Sequence, residues 1–285
     1  MKKIKFLAFY AIVAGFATSC QKDDVANEVQ SETITESVSK EHLEGLAKAG
    51  VNPTGASYVT ISHLGEAPVE YVKSGDILVA LDKMAEQALP TNTENNVKQY
   101  VTRNLVNANT IVRVTGWTGG GNALTSRMRT GLERAIRNYN DLDLRLKFEL
   151  TFGTDQSSRV DMVIYNAGGS GQGGQAEFPS GGRSGKYIQI FGGMASASND
   201  VNEHVIGHEM GHALGFRHTD YARRRCDGSN EGQANIGALS IPGTPSANQW
   251  GQRGLDTDSI MISCFNGNED GEFSRFDIIA LRYIY

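Results

Sequence analysis

The sequence predicts an α+β fold, a sheet packed against amphipathic helices, and three stretches carry that prediction. Leu124, Met128, Leu132, Ile136 and Tyr139 recur at helical spacing and line up on one face. Leu144, Leu146, Phe148, Leu150 and Phe152 alternate with Arg145, Lys147, Glu149 and Thr151, the period-two pattern of a strand with one buried face. Asp200 and Glu203 predict an N-terminal capping box, and an apolar stripe including Val205 continues that helix towards Gly215. With 39% hydrophobic and 21% charged residues in 285, the composition suits one good-sized core with appendages.

Met1 to Ser19 reads as an export signal, with Lys2, Lys3 and Lys5 ahead of an apolar stretch from Phe6 to Ala17. That stretch is too short to span a bilayer, which takes ~20 residues. The run Ala17-Thr18-Ser19-Cys20 resembles a bacterial lipobox, which implies a lipid on Cys20; a plain secretory signal with an incidental cysteine is the alternative. Gln21-Lys22-Asp23-Asp24 resembles the acidic tag of surface-directed lipoproteins, so an exported, outer-membrane or cell-surface lipoprotein is expected. Residues 20–40 are polar and acidic and read as a tether.

Residues 41–104 read as an N-terminal unit. Leu43, Leu46 and Ala47 mark a short helix stopped by Gly50. Ser57 to Ser62, Val69 to Val72 and Ile77 to Val79 are strand-like, and a helix is expected from Thr93 to Leu105. Residues 105–285 hold the principal domain, with strands at Thr110 to Trp117, Val160 to Tyr165 and Lys186 to Phe191 besides the alternating stretch. The glycine-rich segment 168–185 contains a formal G-x-G-x-x-G, but no helix comes after it to offer its N-terminus to a phosphate. It reads instead as a flexible loop flanking an edge strand around Gln175 to Pro179.

The formal charge is −5, and because the export signal holds three lysines and no acid, the chain beyond it is more acidic still. Without a basic run, a nucleic-acid partner is excluded. Of three cysteines, Cys226 and Cys264 remain once Cys20 is assigned to a lipid, and in an oxidising compartment they are expected to pair. The ~39-residue loop that such a bridge closes contributes on the order of 4 kcal/mol in the chain-entropy account.

Half of the six histidines fall between His208 and His218, in His-Glu-Met-Gly-His-Ala-Leu-Gly-Phe-Arg-His. His208 and His212 are four apart on a helix, about 6 Å along its axis, and both project from one face. Gly215 then ends the helix in a left-handed conformation, and the reversal returns His218 as a third ligand. Three neutral imidazoles around one Zn2+ leave a fourth position for water, as in a catalytic site. Glu209 is placed to act on that water as general base. A satisfied core histidine explains one such residue and not three. His204 reads as a surface histidine and Asp220 as a loop-capping residue.

The motif is that of the metzincin clan, H-E-x-x-H-x-x-G-x-x-H followed by a methionine turn, and Met261 in Ser259-Ile260-Met261 matches the turn. Ser263 stands where some metzincins place a tyrosine ligand, so no such fifth ligand is expected. The closer resemblance is to the bacterial dual-action HEIGH metallopeptidases, carried by Gly207 to His212, Gly215 to Asp220 and Phe273 to Asp277, with Met210 in place of isoleucine. Ser274 and Asp277 cap a last helix. The resemblance implies a zincin-like domain: a twisted, mostly parallel sheet, an active-site helix and a smaller C-terminal subdomain. It further implies a monomeric zinc endopeptidase of extracellular proteins, whose extended polypeptide substrate pairs with the edge strand at 175–179. Ser74-Gly75-Asp76 resembles the glycine-aspartate switch of astacin pro-segments, making Asp76 either a latency ligand within a pro-segment or a plain turn residue. The alternative function is a surface-anchored binding module with a vestigial zinc site, against which the intact Glu209 speaks.

Overall fold

A computed structural model describes residues 32–33, 37–87, 98–102, 104–231 and 239–285. The export signal, Cys20 and most of the tether lie outside the described residues. The elements in chain order are β1 (Glu32–Thr33), α1 (Lys40–Ala49), β2 (Ser57–Ile61), β3 (Val69–Ser74), β4 (Ile77–Ala80), α2 (Met84–Gln87), β5 (Lys98–Val101), β6 (Ile111–Trp117), α3 (Ser126–Asp141), β7 (Lys147–Gly153), β8 (Met162–Gly168), β9 (Gly174–Glu177), β10 (Tyr187–Phe191), α4 (Asn199–Leu214), β11 (Leu239–Ser240) and α5 (Arg275–Ile284).

One nine-stranded sheet runs β1-β2-β3-β4-β9-β10-β8-β6-β7. Within the principal domain β10, β8, β6 and β7 are parallel and β9 is antiparallel to β10, so that part is mostly parallel as expected. β1 to β4 form an antiparallel meander, and β4 joins β9 in parallel, with Ile77 opposite Ala176 and Leu78 opposite Glu177. The whole is therefore a mixed α/β sheet. β9 is not an edge strand: β4 covers its outer side. No local pattern foretells that pairing, because it joins segments far apart in the chain.

The helix stripe is buried along its length, at Leu124, Met128, Leu132, Ile136 and Tyr139, and Thr125 caps α3 by accepting from the Met128 N–H. The alternating strand buries Leu146 and Phe148 but leaves Phe152 38% exposed, since β7 is the outermost strand. Of the helix expected at 93–105, residues 98–101 form β5 instead and pair with β11, and residues 93–97 and 103 lie outside the described set. The partner strand is remote in sequence, so a tertiary ladder overrides the local helical spacing.

α4 starts two residues earlier than its capping-box signature suggests. Ser198 is the cap, accepting from the Val201 N–H at 3.1 Å, while Glu203 turns away to accept from Asn138 at 2.9 Å. Every residue from Val201 to Leu214 is buried, between α3 on one side and β9 and β10 on the other. The two helices close up at Gly131, where a β-carbon would stand 2.7 Å from the backbone of Asn202 and Glu203. Gly131→Ala is expected to destabilise the protein by about 1–3 kcal/mol despite its better helix propensity. Chemical denaturation checks this, and a more stable variant would mean that the helices part freely there.

Much of the described chain after α4 packs back onto the principal core. Ile241, Ile260, Met261, Leu281 and Tyr285 join the core that holds Met128, Leu132 and Met210. α5 begins with the expected reciprocal box between Ser274 and Asp277.

Candidate metal centre

α4 ends where the third histidine requires it to. Gly215 has φ of 105°, and its N–H reaches the carbonyls of Gly211 and His212, a left-handed cap that side chains resist. A β-carbon there would also run into the carbonyl oxygen of Asn104. The chain doubles back, and His218 comes to face His208 and His212.

The three rings converge through one kind of atom. Nε2 of His218 lies 3.2 Å from Nε2 of His208 and 3.2 Å from Nε2 of His212. Each opposite nitrogen meets an acceptor: His208 Nδ1 the carbonyl of Ile260 at 2.7 Å, His212 Nδ1 the carbonyl of Phe216 at 2.8 Å, and His218 Nδ1 the carboxylate of Glu231 at 2.5 Å. An acceptor at that distance requires Nδ1–H, so the Nε2 lone pairs of the neutral rings point at one another. Asp76 completes the group, Oδ2 at 3.2 Å from His218 and 3.8 Å from His208, Oδ1 at 3.4 Å from His212. Lone pairs and carboxylate oxygens crowd together in this way around a shared cation. The spacing fits as well, since tetrahedral ligands at ~2.0–2.1 Å from an ion stand ~3.3 Å apart. All four residues thus lie where a single metal ion would be held.

The electrostatics point the same way. Burial opposes a charge on His218, yet Asp76 and Glu231 push its pKa up to about 10: the cluster attracts positive charge. Burial likewise works against an ionised Asp76, but His218 and His212 hold it well below the ordinary carboxylate range. Glu209, beside His208, is 2% exposed, and its Oε2 has no hydrogen-bond partner among the described residues. Burial, reinforced by Asp76, raises its pKa well above the usual value.

Met261 packs against the backbone of α4 at Gly211, and the Thr219 N–H donates to its carbonyl at 2.9 Å. Its turn is fastened from α5: Asp277 accepts from the Ser259 hydroxyl at 2.6 Å and from the Ile260 N–H at 2.8 Å. Because Ile260 in turn orients His208, α5 reaches the centre through one carboxylate. Asp220 does cap its loop, and further than expected, accepting from the Arg225 N–H and from both the backbone and the hydroxyl of Ser263. Ser263 is so engaged and stands outside the ligand group. Cys226 and Cys264 are disulfide-bonded, with Cα atoms 5.6 Å apart. His204 is a correction: it is 5% exposed rather than on the surface, because α4 is buried on all sides.

Glu231 has no signature in the sequence, and neither has the fastening role of Asp277, which is legible there only as a helix cap. Glu231 is itself set by Arg217, a wholly buried residue that donates to its backbone carbonyl at 3.1 Å. Glu231→Gln is expected to weaken metal affinity roughly 10–100-fold by loosening the hold on His218. Competition titration against a chromophoric chelator measures it, and unchanged affinity would dismiss Glu231 as an orienting group.

Comparison with solved structures returned two of myroilysin, at 17% and 15% identity and TM-scores of 0.39 and 0.38, covering 64% and 68% of this chain and 82% and 93% of the other. A third, metalloproteinase-II from Bacteroides fragilis, is 11% identical with a TM-score of 0.24, covering 68% of this chain and 72% of that one. Comparison with curated proteins returned no match. The family model described as dual-action HEIGH metallo-peptidase matches residues 71–285, a span that takes in Asp76, the three histidines, Glu209, Glu231 and the methionine turn. The chain belongs to that metallopeptidase family.

Proposed function

We propose that the protein is a zinc endopeptidase of extracellular polypeptides, with Glu209 as general base and Asp76 holding it latent. The observation behind this reading is the convergence of three oriented imidazole lone pairs beside a buried carboxylate that has an unpartnered oxygen. Three imidazole nitrogens with one exchangeable oxygen position suit zinc. His208, His212 and His218 would hold the ion, and Asp76 stands at the fourth position. A bound zinc ion would polarise the scissile carbonyl and make water more acidic.

The rest falls to the chain's own groups. Glu209 takes the proton of the attacking water and returns it to the leaving amine. Burial makes its carboxylate a stronger base than a solvated one. β9, once β4 leaves it, offers the N–H groups of Ala176 and Phe178 to an extended substrate. Export and a lipid on Cys20 would hold a monomeric enzyme at the outer membrane, where extracellular proteins are within reach. A binding module with a vestigial site fits less well, because a buried, unpartnered Glu209 would then be a cost without a use.

Metal analysis of the chain from residue 21, with peptide-library cleavage in the presence and absence of a chelator, tests the reading. One zinc per chain and chelator-sensitive cleavage of internal bonds are expected. Cleavage indifferent to the chelator, or a chain that retains no zinc, would overturn it.

A further inference from the structure

One titratable side chain fastens the N-terminal segment to the sheet on the face turned away from α4. Ile164, Ala176 and Ile188 belong to the core that holds Met210 of α4, so their neighbours Tyr165, Glu177 and Tyr187 point to the other face. His63, in the turn between β2 and β3, lies against that face. Its ring stacks on Tyr187, with centroids 4.0 Å apart and planes 5° from parallel, and the residue is 1% exposed.

The hydrogen bonds fix its protonation. The Tyr71 hydroxyl donates to Glu177, so its oxygen accepts from His63 Nε2–H at 2.8 Å. Gln189 donates to the Tyr165 oxygen at 2.7 Å, and the Tyr165 hydroxyl donates in turn to the bare Nδ1 at 2.8 Å. The neutral ring is satisfied at both nitrogens. A second proton, on Nδ1, would meet the Tyr165 O–H head-on and bring a charge into a buried site. The charged neighbours do not rescue it. Glu177 Oε1 lies 3.9 Å from Nε2, but that carboxylate already serves Tyr71 and the N–H groups of Lys186 and Tyr187. Lys83, just after β4, stands 4.0 Å from the same carboxylate. Burial, helped by Lys83, lowers the His63 pKa to about 3. Burial pushes Tyr71, Tyr165 and Tyr187 upward, so none of the three titrates in acid.

We propose that His63 is an acid-sensitive catch: protonation of its imidazole frees the N-terminal segment from the sheet, and with it Asp76 from the metal centre. The consequence for activity rests on the latency reading; the release itself does not. A freed His63 returns to its ordinary value near ~6.5, above the docked one. Its share in docking is therefore complete above pH ~6.5 and is lost as pH falls from there towards about 3. Between pH 7.5 and 5.5 the opening equilibrium shifts roughly 10-fold.

The test is hydrogen exchange in the full chain at matched zinc content, corrected for intrinsic rates. It is read at the Ala176 and Phe178 N–H groups, which β4 holds. In the unaltered chain the opening constant is expected to rise roughly 10-fold from pH 7.5 to 5.5. In His63→Gln, whose neutral amide both donates and accepts, the rise should shrink to under about 2-fold. The metal centre is common to both chains, so its own titration cancels in the comparison. Equal rises in the two chains, or none in the unaltered chain, overturn the proposal. NMR of the His63 ring in the unaltered chain decides the matter should the variant fail to fold: a ring that titrates near pH 6.5 while the segment stays docked overturns it, and one that stays neutral supports it. His63-dependent release, with Asp76→Ala no faster than the unaltered chain, removes the latency reading and leaves the catch standing. Activation by Asp76→Ala without His63-dependent exchange removes the catch alone.

Discussion

Full-length chain carrying Asp76→Ala is expected to cleave peptides at least roughly 10-fold faster than the unaltered chain, the effect of removing a charge-assisted contact from the closed state. The Asp76 carboxylate lies 3.2–3.8 Å from the three Nε2 atoms, where on the proposed reading it would exclude water and a substrate carbonyl. It is delivered by a tight turn between β3 and β4, where Gly75 has φ of 64° and the Ser74 hydroxyl donates to the Asn52 carbonyl at 2.7 Å. Beyond the turn, the Asp76 and Leu78 carbonyls accept from the N–H groups of Ala176 and Phe178, each at 2.9 Å. The segment thus sets a carboxylate against the three histidines and covers the strand edge.

Much of what holds it there is polar. His63 lies between the hydroxyls of Tyr71 and Tyr165 at 2.8 Å from each, and Tyr71 donates to Glu177 of β9. Among the described residues, the apolar cluster built on Leu46, Val72, Val79 and Met84 draws only Phe178 from the later chain. Such an interface can part without baring a large hydrophobic face. Asp76→Ala leaves the β4–β9 pairing in place, so removal of the N-terminal segment by proteolysis should raise the rate further. Initial rates at matched zinc content decide the matter. If the variant and the unaltered chain turn over equally, Asp76 is a turn residue and nothing more.

The centre is legible in the sequence because its parts are local. His208, His212, Gly215 and His218 lie on one helix and the turn that ends it, so spacing alone brings the histidines together. The principal strands are legible for the same reason, each carrying its own period-two signal. The hidden features depend on partners remote in sequence. Glu231 is an acidic residue in a loop until the fold sets it against His218, and Asp277 looks complete as a cap until the methionine turn arrives beside it. His204 misleads for a different reason. Asn202, Glu203 and His204 are the polar residues of an ordinary exposed face, but α4 is enclosed on all sides, and the Asn202 amide nitrogen donates internally to the carbonyls of Met194 and Ser198. The expected edge strand lies at the right residues but has a neighbour on both sides, since a parallel ladder to β4 leaves no mark on the sequence of β9.

In the Asp76→Ala chain, Glu209→Gln is expected to lower turnover roughly 10²–10⁴-fold, the usual contribution of a positioned general base. Zinc content should not change, because Glu209 is outside the ligand group. Stability should not fall either. The carboxylate is buried with one oxygen unpartnered, and burial by itself disfavours its ionised form even once Asp76 is gone, so a neutral amide of the same shape removes a cost rather than a contact. These outcomes belong together: a residue kept for structure loses stability when replaced, whereas one kept for chemistry loses turnover and gains or keeps stability. Rates, metal analysis and denaturation midpoints on the same preparation separate the two. Turnover within a few-fold of the parent, with zinc bound, would take Glu209 out of the mechanism and require another group to accept the proton.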